Sequence, residues 1–407
     1  MATMKRPLEG VKVVELATHA AGPTTTRMLA DWGADVVKVE GTSGDEWRML
    51  GTIYGIPVED DENPLFNLTN MGKKLVSLNL KDPEGKAALL KLLETADVFV
   101  SSVRLKSLQK MGLDYETLKK QFPGLVYTHV TGYGYEGPDS ERPGFDRSAF
   151  WAKCGALVDW PAKDSPPLLP LSAFGDVCTT TMLVSGTLAA LLAKRETGEG
   201  SLVSASLYGS ALWYHGIGIL ITQAPYSNVY PKDPKRPLRP LSHFYQCKDG
   251  EWINTTTVDH DKVYAPIMKA LGLDEYLDDP RFFPAKAMDE GGHSAELCTL
   301  IRERMFTKTA EEWGRILQDA DIVNERMLHT GEVPNDPQAW ANDYLMKAPM
   351  PSGTVLAMPA NPVQFSEYEK TSFSPSGPVG QHTDEVLADA GYSPDQLARL
   401  RADGAIR

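Results

Sequence analysis

Phe174-Gly175-Asp176 stands at the start of the longest apolar helical pattern in the 407-residue chain, residues 176–194. Aspartate is a favoured helix N-cap, so this carboxylate can simply open the helix. The same place also suits chemistry. A carboxylate at a helix N-terminus is stabilised by the macrodipole and by unpaired N–H groups, which would keep it ionised at neutral pH. With glycine leaving its approach side open, it could attack an activated acyl group. A second set is cationic: Lys73 and Lys74, then Arg104, Lys106 and Lys110, each near an expected strand end or helix start. Open α/β sheets bind ligands at the carboxyl ends of their strands. These side chains therefore either hold ligand phosphates or are ordinary solvated cations.

Other patterns lead away from chemistry. Gly132-Tyr-Gly-Tyr-Glu-Gly137 spells a dinucleotide fingerprint after a strand, but a helix must follow it. Pro138 and Pro143 bracket an Asp-Ser-Glu-Arg turn instead, so the stretch reads as a glycine-rich loop. There is no P-loop, no His-Glu-x-x-His and no Gly-x-Ser-x-Gly; the eight histidines never fall at ligand spacing, so no metal is expected. Glu59-Asp60-Asp61-Glu62 reads as a solvated loop. Cys154, Cys178, Cys247 and Cys298 form no Cys-x-x-Cys pair, which suits reduced thiols in a cytoplasm.

The elements that would position these residues alternate. Strands are expected at Val11–Leu16, Asp35–Glu40, Asp97–Ser101, Leu125–Val130 and Ser201–Leu207, with helices at Pro23–Trp32 and Pro83–Thr95 among them. Strands spaced by helices imply right-handed crossovers and a parallel sheet, hence an α/β fold. Residues 224–250, rich in Pro, Tyr and Asn, suit a linker. A second unit follows, with a strand at Trp252–Thr256 and helices at 260–271, 295–305 and 309–319. Stretches 331–337 and 347–362 read as loops by their Gly and Pro, and helices close the chain at Thr383–Ala390 and Pro394–Ala402. A length of 407 residues suits two or three domains. With 41 Lys+Arg against 54 Asp+Glu, the net charge of −13 argues against a nucleic-acid partner. No run of 18 apolar residues suggests a membrane span, and residues 1–10 lack a signal-type apolar stretch.

These pieces resemble, in order and over nearly the whole chain, the class III CoA-transferases, the family of formyl-CoA:oxalate and carnitine CoA-transferases. The resemblance runs through residues 8–16, Gly22-Pro23, residues 29–40, Gly44-Asp45, Arg48, Asn70–Lys74, Asp82–Gly85, Ala96-Asp-Val and Met111-Gly-Leu. It continues in Gly132–Pro138, Pro143–Asp146, Gly175-Asp176, Trp313 and Gly380–Thr383. Pro143-Gly-Phe-Asp146, Ala339–Leu345 and Asp61–Pro64 look closest to the anaerobic members that act on 2-hydroxy acids and their enoyl-CoA partners in amino-acid fermentation. The resemblance implies a Rossmann-like large domain at 1–200, a linker at 201–225 and a smaller α+β domain at 226–325. A C-terminal return to the large domain at 326–407 and an interlocked homodimer complete the fold.

It also implies that Asp176 carries the chemistry through an anhydride and an enzyme-CoA thioester, with coenzyme A as substrate and no permanently bound cofactor. CoA contacts would fall at His19, Ala20 and Ala21, at Gly72, Lys73 and Lys74, at Ser102, Val103 and Arg104, and at Lys110 and Met111. Phe145 and Asp146 would lie near the acyl group. The partners implied are an acyl-CoA, a carboxylic acid, a second copy of the chain and a 2-hydroxyacyl-CoA dehydratase, in the cytoplasm. Departures matter. A family glutamine is Ala20 here, a family asparagine is Ser102, and Pro237–His243 replaces a glycine-rich lid, which disfavours oxalate and formyl-CoA. Two rivals share the resemblance: a 2-methylacyl-CoA racemase, whose His-Asp pair is Phe145-Asp146 here, and a non-catalytic acyl-CoA-binding partner of a dehydratase.

Overall fold

The computed structural model describes residues 6–235 and 237–407; residues 1–5 of the expected large domain, and Arg236, lie outside the described residues. The chain divides into two compact units. One holds the described residues up to Ala156, Leu169–Ala224 and Pro337–Arg407; the other holds Leu157–Leu168 and Pro225–Asp336, with Arg236 outside the description.

Short β-branched runs build the first unit. β1 (Lys12–Leu16), β2 (Asp35–Glu40), β3 (Lys74–Ser77), β4 (Val98–Ser101), β5 (Val126–Thr131) and β6 (Leu202–Ser206) form one parallel sheet in the order β3-β2-β1-β4-β5-β6. Side chains alternate across it. Val13, Val36, Val98 and Val126 pack on one face with Leu29 and Val184, while Val14, Phe99 and Tyr127 pack on the other with Leu89, Leu108 and Leu118. Burial on both faces explains strands that read as continuous apolar runs. Each fully buried Val or Leu contributes about 1.5–3 kcal/mol.

Several expectations need correction. β3 was not anticipated, because Lys73-Lys74 reads as a surface cation pair and only Leu75–Ser77 supply buried strand character. The chain end secures this strand: His382 donates its N–H to the Leu75 carbonyl at 2.9 Å, and Ile406 bridges Leu78. Stretch 347–362 is no loop. It pairs as the antiparallel hairpin β10 (Leu345–Pro349) and β11 (Val355–Pro359), turned by Gly353 at φ 87°. Residues 201–225 are no linker, since they hold β6 and helices Leu207–Tyr214 and Gly216–Thr222.

The long helix spans Phe174–Thr197 and presents Thr179, Thr180, Leu183, Val184, Thr187 and Ala190 to the interior. By length and composition it could cross a membrane, although sequence reading found no such segment. Its buried face packs against the helix Ala21–Asp31 and against β5 and β6.

The second unit folds around β7 (Phe244–Gln246), β8 (Trp252–Thr255) and β9 (Asn324–Arg326), an antiparallel sheet. Tyr245, Tyr264, Phe282 and Trp313 fill its core. Thr309 and Glu312 form a capping box that starts the helix Ala310–Asp319.

Candidate active site

Strand order in the first unit reverses between β1 and β4, so the loops leaving these strands part and open a crevice. A cavity of about 410 Å³ lies there. Thr18–Ala21 after β1, Ser102, Arg104 and Leu105 after β4, the end of β5 with its glycine loop, Pro143–Phe145, Asp176 and Leu207 line it. Its size suits a small-molecule site.

Asp176 faces this cavity, but it is not the cap of the long helix. Ala173, in the left-handed region at φ 67°, takes the N-cap position, and Asp176 lies in the first turn. Asp146 supplies the missing capping group from another loop. Its Oδ1 accepts the Asp176 N–H at 3.1 Å, and the N–H groups of Gly175 and Ala173 also donate to this carboxylate. Gly175 is required by that approach: a Cβ there would lie 2.3 Å from Phe150 Cγ and 2.6 Å from Asp146 Oδ1. Asp146, expected beside the acyl group, therefore holds the turn that carries Asp176. Phe145 next to it is 61% exposed on the cavity wall.

The charge state of Asp176 also departs from expectation. Burial first, and the neighbouring Asp146 charge second, push its carboxyl up to about 7. Desolvation and like charge outweigh the helix dipole here, so the group is only partly ionised at neutral pH.

Lys73 is no phosphate ligand. It is wholly buried, with Nζ bonded to Glu15 Oε2 at 2.8 Å, the Pro23 carbonyl at 2.7 Å and Asn70 Oδ1 at 2.9 Å. Lys38, equally buried, joins Glu15 at 2.8 Å to Asp45 at 2.9 Å and donates to the Ala17 carbonyl at 2.8 Å. Asp45 in turn accepts the His19 N–H at 3.1 Å. This cluster shapes the β1 loop, because each lysine and Asp45 hold a backbone group on or beside it. Burial drags Lys73 down to about 7 even though Glu15 opposes it. Glu15 falls to about 2, the two lysines overcoming its own desolvation.

Other expected contacts scatter. Lys74 starts β3 and pairs with Asp35 at 3.2 Å, on a groove lined by Lys12 and Val13 at the opposite, amino end of the strands. Gly72, at φ 76°, gives its N–H to the Ser374 carbonyl and is absent from the cavity wall. Lys110 and Met111 end the helix Leu105–Met111 away from that wall, and Val103 packs against the core. What the structure does bring together is His19, Ala20, Ala21, Ser102, Arg104, Phe145 and Asp176. Arg104 is an exposed cation at the rim, whereas Lys106 is paired with Glu141 at 3.2 Å.

Sequence reasoning missed His129 and Tyr135. His129 Nε2 bonds the Val103 carbonyl at 2.8 Å and Nδ1 bonds the Tyr135 hydroxyl at 2.5 Å, joining the β4 loop to the glycine loop. As Nε2 must donate to that carbonyl, Nδ1 accepts, and burial disfavours protonation of the ring. Thr180 was missed too; its hydroxyl ties the Ala21 carbonyl to the helix one turn past Asp176, at 3.0 Å. His129 sits in a plain strand pattern and Thr180 in a plain helical one, so neither carried a local signal.

The family model described as CoA-transferase family III matches residues 8–383. The chain belongs to CoA-transferase family III. It is therefore an enzyme of acyl-CoA and carboxylic-acid substrates, with CoA the group transferred. The (R)-2-hydroxy-4-methylpentanoate CoA-transferase of Clostridioides difficile is 38% identical over 98% of this chain and 99% of its own length. The cinnamoyl-CoA:phenyllactate CoA-transferase of Clostridium sporogenes is 36% identical, over 97% and 96%. Among solved structures, a CAIB/BAIF family protein from Brucella suis superposes with a TM-score of 0.77 at 28% identity, over 95% of this chain and all of that one. A hypothetical protein from Mycobacterium tuberculosis shares the fold, with a TM-score of 0.80 at 24% identity, over 95% of this chain and 100% of that one.

Proposed function

We propose that this family III enzyme moves CoA from an enoyl-CoA or 2-hydroxyacyl-CoA to a 2-hydroxy acid, with Asp176 as the nucleophile. The observation that carries the reading is a carboxylate facing a cavity at the sheet's switch point, on a turn held by Asp146. In this scheme an Asp176 oxygen attacks the donor thioester carbonyl, giving an aspartyl–acyl anhydride and CoA thiolate. The thiolate attacks the aspartyl carbonyl, which releases the donor acid and leaves an aspartyl-CoA thioester. The acceptor carboxylate then attacks that thioester, expelling CoA thiolate and forming a second anhydride. Thiolate attack on its acyl carbon yields the new acyl-CoA and restores Asp176. Thioester energy is kept throughout, so no ATP is consumed.

Raised toward neutrality by burial, the ionised carboxylate is a stronger nucleophile than a solvated one. Ala20, Ala21, Ser102 and Arg104 would take the CoA, with Arg104 on a phosphate. The names of the two bacterial relatives support the 2-hydroxy acid class. Phe145 cannot titrate, which leaves a racemase without an acid/base group at that place. The chain would act as an interlocked homodimer in the cytoplasm, supplying a 2-hydroxyacyl-CoA dehydratase. Exposed Trp213, Ile217 and Leu220 suit a face covered by a second copy, and four free thiols suit a reducing compartment.

Incubation with an acyl-CoA alone should leave a hydroxylamine-sensitive adduct on the peptide carrying Asp176. Asp176→Ala should abolish transfer while CoA still binds. An adduct on a cysteine, or more than a few per cent of activity in the variant, overturns the scheme.

A further inference from the structure

Two loops are tied to the helical turn of Asp176. Thr180 Oγ1 bonds the Ala21 carbonyl at 3.0 Å, and Asp146 Oδ1 accepts the Asp176 N–H at 3.1 Å. The first loop brings His19, Ala20 and Ala21 to the cavity, the second brings Gly144 and Phe145, and Leu207 completes this part of the wall. On these two loops the cavity-lining side chains able to form a hydrogen bond include Thr18, which is exposed, and His19, whose ring packs against Phe145.

The His19 ring is oriented by its neighbours. It meets Phe145 edge-to-face at 5.5 Å and Trp47 at 6.4 Å, and Nε2 faces Glu46 Oε2 at 3.5 Å. Nδ1 has no protein partner among the described residues. The backbone of His19 lies in the left-handed region at φ 63°, which a non-glycine residue adopts at a cost. Asp45, itself held by buried Lys38, keeps it there through the His19 N–H. Strain enforced by a buried charge cluster, at a residue facing a cavity, marks a side chain placed for a ligand.

We infer that the His19 imidazole reads the 2-hydroxyl of the acid whose carboxylate meets Asp176, an inference that rests on the transferase reading above. A hydroxyl suits Nδ1 in either protonation state, because it donates to a lone pair and accepts from an N–H. Phe145 beside it offers an apolar face to a branched or aromatic group on the same carbon. Asp176 lies on the same wall and feels the Asp146 charge, and Glu46 faces the other ring nitrogen of His19, so negative charge on this side opposes a second carboxylate on the acid.

The test is His19→Gly. Glycine adopts a positive φ freely, so this variant keeps the loop while losing the imidazole. With one acyl-CoA donor, kcat/KM is measured for 2-hydroxy-4-methylpentanoate and for 4-methylpentanoate. The unaltered enzyme should favour the hydroxy acid by on the order of tenfold, the worth of one hydrogen bond. His19→Gly should bring that ratio close to unity, lowering kcat/KM for the hydroxy acid about tenfold more than for 4-methylpentanoate. His19→Asn, which tolerates the left-handed region and returns an amide, should recover part of the preference. A ratio unchanged by the substitutions, an equal fall for both acids, or an unaltered enzyme indifferent to the hydroxyl overturns the inference. Transfer to neither acid by the unaltered enzyme overturns the proposed function itself, and is read separately from the ratio.

Discussion

Replacing Asp176 by asparagine keeps the shape of the side chain and removes only its charge. Burial and Asp146 push that carboxyl up to about 7, against about 4 in an unfolded chain. At 1.36 kcal/mol per pH unit, ionised Asp176 costs the fold about 4 kcal/mol above pH 8. The sign follows from proton counting. Between pH 4 and 7 the folded protein holds a proton here that the unfolded chain has released, so stability falls as pH rises through this window. Asp176→Asn lacks that loss. Urea denaturation at pH 5, 6, 7 and 8 should show the variant more stable by up to about 4 kcal/mol at pH 8, with the gap narrowing steadily toward pH 4. Catalysis should run the other way: kcat/KM for the acyl-CoA in the unaltered enzyme should rise through about pH 7 as Asp176 ionises. Equal stability at every pH, or a gap that does not change between pH 5 and 8, refutes the claim that Asp176 is held at an electrostatic cost.

Gly175→Ala forces a Cβ to 2.3 Å from Phe150 and 2.6 Å from Asp146; thermal melts should fall, by about 1–3 kcal/mol of stability or more, and transfer activity should fall with them. Lys73→Met leaves Glu15 short of a cation in the core; the loss should appear in denaturation, at about 3–5 kcal/mol, whereas a residue that merely held phosphate would change only the KM for acyl-CoA. Arg104→Gln should do the reverse. Its KM for acyl-CoA should rise about tenfold and lose salt dependence, with the melting temperature unchanged because the side chain is exposed.

The parallel sheet was legible because β1, β2, β4 and β5 are apolar runs separated by helical patterns, and a run buried on both faces needs no partner to announce it. β3 and the hairpin β10–β11 were not. Leu75–Ser77 is too short to outweigh two preceding lysines, and in Leu345–Pro359 the prolines lie at the ends and turn of the hairpin, where they read as loop. For the site, Gly175-Asp176 stood out by its place before the long helix. Its partner Asp146 was expected for a different duty. Lys73 reads in the sequence as a CoA phosphate contact or a solvated cation, since nothing within residues 70–76 tells a lysine aimed at solvent from one aimed at Glu15.

From the order of residue types alone came the α/β class, the carboxylate opening the long helix and the kinship to CoA-transferases, for these depend on local periodicity and on residues adjacent in the chain. Tertiary structure decided the charge of Asp176, the capping by Asp146, the burial of Lys73 and the pose of His19. Each of these depends on groups brought together from distant positions: Asp146 lies 30 residues before Asp176, and Lys73 lies 58 residues after Glu15. Whether a charged side chain meets water or a counterion is set by what folds around it, and no stretch of sequence around the residue itself contains that information.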